Sequence, residues 1–228
     1  MAVAESPLFE PIDIGTLTIA GRLIKTATAE TRASHDGFVT PELLQFYIPM
    51  AKGGTPLIIT GNIYVSRAGK SAPRQVGADD DDKIPGLRQL TDAVHAHGSR
   101  IFAQLNHCGR QVVPPFAGLQ EAVSASAVKE LVTGTLPREL SLLEIQRVIA
   151  DYGAAAMRCK QAGFDGVQIH AANGYLMSQF LTPHTNRRTD RYGGSFDNPL
   201  HLPRRGVQDT PRRGGRGRRG RPPLGLPA

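Results

Sequence analysis

The chain has 228 residues, close to the ~250 residues of a single α/β barrel domain. Hydrophobic residues make up 40% of it, and no apolar run reaches the ~18 residues that a membrane-spanning helix needs. The first ten residues contain no basic stretch leading into an apolar run, so we expect no signal peptide. The two cysteines lie far apart, which excludes a disulfide scaffold and a cysteine-rich metal site. A reducing cytoplasm is the expected location.

The net charge of +7 belongs to the end of the chain alone. Residues 199–228 contain eight arginines and one acidic residue, whereas residues 1–198 balance 19 basic against 19 acidic side chains. The same 30 residues hold six prolines and six glycines, and they show no hydrophobic period. Such a composition cannot bury a core, so we expect residues 199–228 to form a disordered tail.

Strand and helix patterns alternate through the first part of the chain. Residues 9–19 alternate around a glycine and predict a short hairpin that would cover the bottom of a barrel, and residues 22–29 predict a strand that runs into a loop. Thr40 and Pro41 supply a cap and a first-turn proline for a helix that ends at a pair of glycines. The nearly continuous apolar run Leu57–Val65 predicts a strand that is covered on both faces.

A run of four aspartates, Asp79–Asp82, interrupts this alternation. Like charges repel each other and stay hydrated, so the run predicts a solvated loop. A divalent-metal site is the alternative, although no spacing of ligands supports it. Residues 85–97 then predict a second helix, and residues 100–107 predict a third strand.

The segment 109–140 contains several prolines and glycines and no strong period. Because it is too long for an ordinary connection, we interpret it as a functional loop. Ser141 and Glu144 then predict a capping box for a helix that runs to Gly163, and residues 166–172 predict a fourth strand. Strands separated by helices pair in parallel with right-handed crossovers, which predicts either a doubly wound sheet or a (β/α)₈ barrel.

In both architectures, ligands bind at the carboxyl ends of the strands. The four predicted strands deliver more small and polar residues there than a packed core requires: Thr26, Ala27, Thr28, Ala29; Thr60, Gly61, Asn62; Gln104, Asn106, His107; and His170, Asn173, Tyr175. The glycine-rich motifs of nucleotide sites and the nucleophile elbow of hydrolases are absent from the sequence. No carboxylate stands at ligand spacing beside His107 or His170, so no metal site is predicted.

Residues 170–195, HAANGYLMSQFLTPHTNRRTDRYGGS, closely resemble the region after the fourth strand of Old Yellow Enzyme-type flavin oxidoreductases. Three further segments resemble that family in order and spacing: PLFEPIDIGTLTIAGRLIKTATAE near the start, LIITGN at 57–62 and IFAQLNHCGRQ at 101–111. The resemblance covers residues 7–198. It implies a (β/α)₈ barrel, of which this chain holds about four βα units, with FMN as cofactor and NADH or NADPH as reductant.

The resemblance also implies roles for single residues. His170 and Asn173 would hydrogen-bond the carbonyl oxygen of an enone, and Tyr175 would give a proton to its α-carbon. Gln104 would contact the pyrimidine edge of the flavin. Two short segments would lie along the flavin ring: Thr26, Ala27, Thr28 and Ala29, and then Gly61 and Asn62. The implied reaction is hydride transfer through FMN to the activated C=C bond of a small molecule, an enone or an enoyl compound.

Each of these residues also has a structural explanation when it is taken alone. His170 could be a core histidine, and Tyr175 could pack with its hydroxyl in water. Their occurrence together with Gln104 and Asn173 inside one matched stretch favours the functional interpretation. Asn106 and His107 stay open, and His107 could simply shape the long loop. Ala29 stands where many members carry threonine or cysteine, and alanine cannot supply their contact to the flavin carbonyl.

We therefore interpret residues 1–198 as the N-terminal half of an FMN-binding barrel and residues 199–228 as an unrelated tail. An out-of-frame reading of a GC-rich gene explains the tail better than a genuine arginine–glycine segment, because the family pattern is lost abruptly after Asn198. On this interpretation, truncation impairs the oxidoreductase activity. The alternative is a non-catalytic protein that binds nucleic acid through its tail. The oligomeric state is not predicted.

Overall fold

The computed structural model describes residues 6–194, in which a hairpin precedes the parallel sheet. Strands β1 (Ile12–Ile14) and β2 (Leu17–Ile19) pair antiparallel around Gly15, whose φ of 63° suits a tight turn. Leu17 and Ile19 pack with Leu57, Ile59 and Phe102 in one apolar cluster. The predicted hairpin is confirmed, and it closes the amino-terminal end of the sheet that follows.

The remaining elements alternate between strands and helices, as predicted. In chain order they are β3 (Ile24–Lys25), α1 (Pro41–Lys52), β4 (Leu57–Tyr64), α2 (Ile84–His95), β5 (Arg100–Asn106), α3 (Pro114–Ala117), β6 (Val123–Ser124), β7 (Arg138–Glu139), α4 (Leu142–Gln161), β8 (Gly166–Ile169) and α5 (Leu176–Leu181). Short 3-10 helices cover Pro7–Phe9, Arg67–Gly69 and Asp81–Lys83. β3, β4, β5 and β8 form one parallel sheet in that order.

Local side-chain chemistry sets the helix starts that the sequence predicts. The Thr40 hydroxyl accepts the Leu43 N–H at 3.2 Å, and Pro41 occupies the first turn of α1. At α4, the Ser141 hydroxyl accepts the Glu144 N–H, and the Glu144 carboxylate accepts the Ser141 N–H at 2.8 Å. This reciprocal pair is the predicted capping box.

A β-bulge in β4 changes which side chains face the helices. Ile59 pairs with Phe102 and Asn62 pairs with Gln104, so two residues of β4 lie opposite one residue of β5. Before the bulge, Ile58 packs into the large core beneath the helices. Side chains alternate along a strand, so the extra residue shifts the alternation by one. After the bulge, the buried core takes Ile63 and Val65, and Asn62 stays on the same side of the sheet as Gln104.

The predicted strand that runs into a loop is present, since β3 covers Ile24–Lys25 and residues 26–30 have no regular structure. Two expectations need correction. The aspartate run is not merely a solvated loop: it leads through a 3-10 helix into α2, and Asp79 pairs at 3.0 Å with the buried Lys83. The long segment 109–140 contains a short helix and the two paired strands β6 and β7.

Within residues 6–194, no helix has both the length and the apolar character needed to cross a membrane. The predicted tail, its boundary at Asn198 and Ser195 of the YGGS segment lie outside the described residues.

Candidate active site

An open cleft of about 430 Å³ lies at the carboxyl ends of the parallel strands. Its lining comes from strands β5 and β8, the loop after β3 and the turn after β8: Ala27, Gln104, Gln168, Ile169, His170, Ala171, Ala172 and Asn173. Four of these residues were predicted as site residues from the sequence: Ala27, Gln104, His170 and Asn173. The lining is small or polar and contains no cationic side chain within the described chain.

Two glutamines from neighbouring strands meet at the cleft. The Gln104 amide donates to Oε1 of Gln168 at 2.7 Å, and the Gln104 backbone N–H donates to the Thr60 hydroxyl at 3.2 Å. Sequence analysis missed Gln168, although it stands two residues before His170 in a predicted strand and therefore faces the same side. The pair presents amide groups, which can both donate and accept hydrogen bonds.

His170 reaches the cleft as a buried, neutral hydrogen-bond donor. Its side chain is only 8% exposed, and burial lowers the pKa of the imidazole. Nδ1 lies 3.4 Å from the Ala172 N–H, which can only donate, so Nδ1 accepts and the ring proton sits on Nε2. Asn173 follows in the left-handed region with a φ of 54°, a conformation that asparagine tolerates better than most residues.

Tyr175 connects this cleft to a second, smaller cavity. Its ring meets His170 edge to face, with centroids 4.7 Å apart, and it lines a cavity of about 40 Å³ together with Asn62, Glu30 and Ala29. Burial raises the pKa of the Tyr175 phenol, while a hydrogen bond with the Asn62 side chain acts to lower it. The predicted residues Asn62 and Ala29 thus lie beside the tyrosine.

Gly61 supports the site through its backbone. Its N–H donates to the Glu30 carboxylate at 2.6 Å and to the Tyr47 hydroxyl at 2.9 Å. A Cβ at this position would lie 2.5 Å from the Thr28 carbonyl oxygen and would overlap the Glu30 carboxylate, so the position requires glycine. Sequence analysis missed Glu30 and Tyr47 because their contact with the bulge spans 31 and 14 residues of chain.

Several other predicted residues stand apart from the two cavities. Thr26 and Thr28 line neither of them, and Gly61 acts through its backbone only. His107 is fully buried and its Nδ1 accepts the Gly109 N–H at 3.1 Å, where the long segment begins. Both amide atoms of the buried Asn106 side chain lack a hydrogen-bond partner within residues 6–194. Neither residue lines the cleft.

The fold and the cleft define a parallel α/β protein with a ligand site at the carboxyl ends of its strands, and comparison with known proteins shows the family. Residues 7–213 match the NADH:flavin oxidoreductase / NADH oxidase family, so the chain belongs to that family. It is 46% identical over 191 residues to a metal reductase of Desulforamulus reducens and 41% identical over 197 residues to an NADH oxidase of Thermoanaerobacter brockii. These alignments cover 84% and 86% of the chain.

A solved structure is similar as well. An Old Yellow Enzyme homologue from Zymomonas mobilis superimposes on 90% of the chain with a TM-score of 0.82 and 34% identity. The resemblance to the Old Yellow Enzyme-type family and the (β/α)₈ barrel class are confirmed, and the doubly wound alternative is set aside. The chain spans 59% of the length of that structure. It spans 28% of the metal reductase and 30% of the NADH oxidase. The parallel sheet of β3, β4, β5 and β8 is therefore part of an incomplete barrel.

Proposed function

We propose that this chain supplies the substrate side and part of the flavin-ring site of an FMN-dependent oxidoreductase that reduces an activated C=C bond. The observation that carries the proposal is the convergence of a neutral His170, Asn173 and Tyr175 at one end of the sheet. Family membership supports the reaction class. The enone or enoyl substrate, and NADH or NADPH as the reductant, are parts of the same proposal.

The cleft fits the uncharged ring system of a flavin. Ala27, Ala171 and Ala172 leave room for a flat group, and Gln104 offers an amide that can pair with the donors and acceptors of a pyrimidine edge. The lining contains no cation within the described residues, so it fits the ring and not the phosphate. Thr26, Thr28, Ala29, Gly61 and Asn62 are proposed to lie along the ring with these residues. When bound, FMN supplies the relay that accepts hydride from NADH or NADPH and delivers it to the β-carbon of the substrate.

The residues of the chain polarise the substrate and move one proton. The His170 Nε2–H and the Asn173 amide donate to the carbonyl oxygen and stabilise the negative charge that develops there. Tyr175 then gives its hydroxyl proton to the α-carbon. Because Tyr175 touches the His170 ring at a centroid distance of 4.7 Å, the oxygen-binding and proton-donating groups lie on the same side of the site.

Tyr175→Phe in the flavin-loaded protein tests this assignment. We expect reduction by NADH or NADPH to keep its rate and reoxidation by an enone to slow at least ~100-fold, because general acid catalysis contributes about 10²–10⁴-fold. Rapid-mixing absorbance at the flavin band measures the two steps separately. Tyr192→Phe is the control, since it removes a hydroxyl that is buried away from the cleft and makes no hydrogen bond within residues 6–194. Equal slowing of both steps in Tyr175→Phe would remove the proton-donor role.

The alternative of a nucleic-acid-binding protein depends on residues 199–228, which lie outside the described residues. The comparisons lend it no support.

A further inference from the structure

A chain of side-chain amides leads from Ser71 to Tyr175. The Ser71 N–H and hydroxyl donate to Oε1 of Gln75 at 2.7 and 3.0 Å. Nε2 of Gln75 donates to the backbone oxygen of Asn62 at 2.9 Å and to its side-chain Oδ1 at 3.1 Å. Asn62 and Tyr175 line the same small cavity, where burial raises the pKa of the Tyr175 phenol and the Asn62 side chain acts to lower it. Gln75 and Asn62 are 5% and 9% exposed, so water competes little for these contacts.

The direction of every bond in this chain follows from its first donor. A backbone N–H can only donate, so the oxygen of the Gln75 amide must face Ser71. The Gln75 NH₂ group then faces Asn62, which fixes the Asn62 oxygen toward Gln75. The Asn62 NH₂ group is left for the Tyr175 hydroxyl oxygen. An amide flip, usually an arbitrary choice, is settled here by the network.

The β4 bulge places Asn62 where this chain needs it. Asn62 pairs with Gln104 across the two strands only because the extra residue shifts the alternation of β4. Asn62 and Tyr175 then line the same cavity of about 40 Å³, together with Ser71 and Gln75. The four members of the polar chain therefore share one small enclosed space beside the cleft.

We propose that Asn62 holds an N–H against the Tyr175 hydroxyl oxygen and stabilises the phenolate that remains after proton transfer, with Gln75 as the positioning residue. The proposal rests on the proton-donor role of Tyr175 in the proposed function. Hydride adds to the β-carbon, and the Tyr175 O–H bond then breaks as a C–H bond forms at the α-carbon. The electron pair of the O–H bond stays on the phenolate oxygen, and water returns the proton afterwards. Asn62 would thus stabilise the Tyr175 phenolate in addition to lying along the flavin ring.

The other groups that face Tyr175 do not stabilise a phenolate. His170 is neutral because burial lowers its pKa. Burial raises the pKa of the Cys108 thiol to about 12, and a charge on that sulfur would oppose ionisation of the phenol. Glu30 lines the same small cavity, and its charged form would oppose it as well. The Asn62 amide is the group on this side that favours the ionised tyrosine.

Titration of the tyrosine by ¹⁹F NMR tests the proposal without turnover or cofactor. The full chain is labelled with 3-fluorotyrosine, which lowers phenol pKa values toward the neutral range, and the Tyr175 signal is identified by its loss in Tyr175→Phe. Asn62→Asp keeps the shape and still accepts from Gln75, but it replaces the donor by a negative acceptor. We expect the Tyr175 midpoint to rise by about one pH unit or more, since a hydrogen bond to a charged group has that magnitude.

Gln75→Met separates positioning from direct contact. The substitution adds no charge, and Gln75 contacts Asn62, which lies beside Tyr175. The titration midpoint of Tyr175 should therefore rise only if Gln75 acts through Asn62. Gln45→Met, on the exposed side of α1, is the matched control and is expected to leave the midpoint unchanged. An unchanged midpoint in Asn62→Asp would overturn the Asn62 contact, and an unchanged midpoint in Gln75→Met would overturn the positioning role. Failure of Tyr175→Phe to slow reoxidation would instead overturn the proposed function while leaving these shifts intact.

Discussion

The imidazole of His170 and the phenol of Tyr175 stand edge to face at 73°, with their ring centroids 4.7 Å apart. The two residues approach from different elements, His170 directly after β8 and Tyr175 directly before α5. The turn between them contains Asn173 in the left-handed region. The six-residue stretch from His170 to Tyr175 therefore carries the proposed donors to a substrate oxygen and the proposed donor of a proton to carbon.

His170→Ala should weaken the binding of phenolate ligands to the flavin-loaded protein by roughly 10- to 100-fold, since one hydrogen bond to a charged oxygen is lost. Burial lowers the pKa of His170, so the neutral imidazole predominates at pH 6.5 and above. A phenol that is ionised throughout should therefore bind with one affinity from about pH 6.5 to 8. Titration of the flavin spectrum at several pH values measures both effects. His97→Ala, at an exposed position, serves as the control, and an affinity that fell across this range would point to a cationic His170.

Gly61→Ala should destabilise the protein by about 2–3 kcal/mol, because an added methyl group in a packed site strains its surroundings. The new Cβ would overlap the Glu30 carboxylate and lie 2.5 Å from the Thr28 carbonyl oxygen. Gly53→Ala is the matched control, since its φ is −71° and its nearest contact would be 3.3 Å. Urea unfolding followed by circular dichroism compares the two variants. Similar losses in both would show that the bulge tolerates a side chain.

His107 should make the free energy of unfolding depend on pH. Burial lowers its pKa in the folded chain to about 4, below the value of an unfolded histidine. Between about pH 4 and 6.5 the unfolded state binds the extra proton, so stability is complete above 6.5 and falls as the pH drops toward 4. The full loss from this group is about 3 kcal/mol.

Denaturant titrations from pH 4 to 7 measure that slope, and His107→Asn should reduce it. Asparagine offers an oxygen in place of Nδ1 for the Gly109 N–H, which His107 accepts at 3.1 Å, so the fold is maintained. His97→Asn, at an exposed position, is the control and should leave the dependence of unfolding free energy on pH unchanged. A slope that survives in His107→Asn would assign the pH dependence to other groups.

The order of elements and much of the candidate site could be predicted from the sequence because both depend on local patterns. A capping residue such as Thr40 or Ser141 bonds a backbone N–H only three residues away. Gln104 and His170 stand near the ends of apolar runs, which locates them at strand ends. The resemblance to a known family supplied the roles, which stay predictions. The cleft brings together Gln104, His170 and Asn173, as the strand order implied.

The supporting contacts could not be predicted, because they join distant parts of the chain. Gln75 reaches Asn62 across 13 residues and Glu30 reaches Gly61 across 31, and neither contact leaves a periodic signal. Hydrophobicity does not reveal the bulge in LIITGNIY, since a strand buried along its whole length shows no alternation that an extra residue could interrupt. Gly61 inside the strand is its local signal, and it does not say which way the following side chains turn. For the same reason the sequence could not show that Asn62 faces Tyr175.

The bulge gives the two halves of β4 different neighbours on the inner face of the sheet. Up to Ile59 that face packs against the hairpin, and at Asn62 it lines the cavity beside Tyr175, while Ile58 and Ile63 both pack in the core beneath the helices. Deleting one residue between the two halves would restore regular pairing and would still leave Asn62 opposite Gln104, with Ile63 toward the helices. Pairing the full-length strand without the bulge would instead turn Asn62 toward the helices. Among related barrels, the residue beside the tyrosine should therefore keep its side of the sheet whether the extra residue is present or absent.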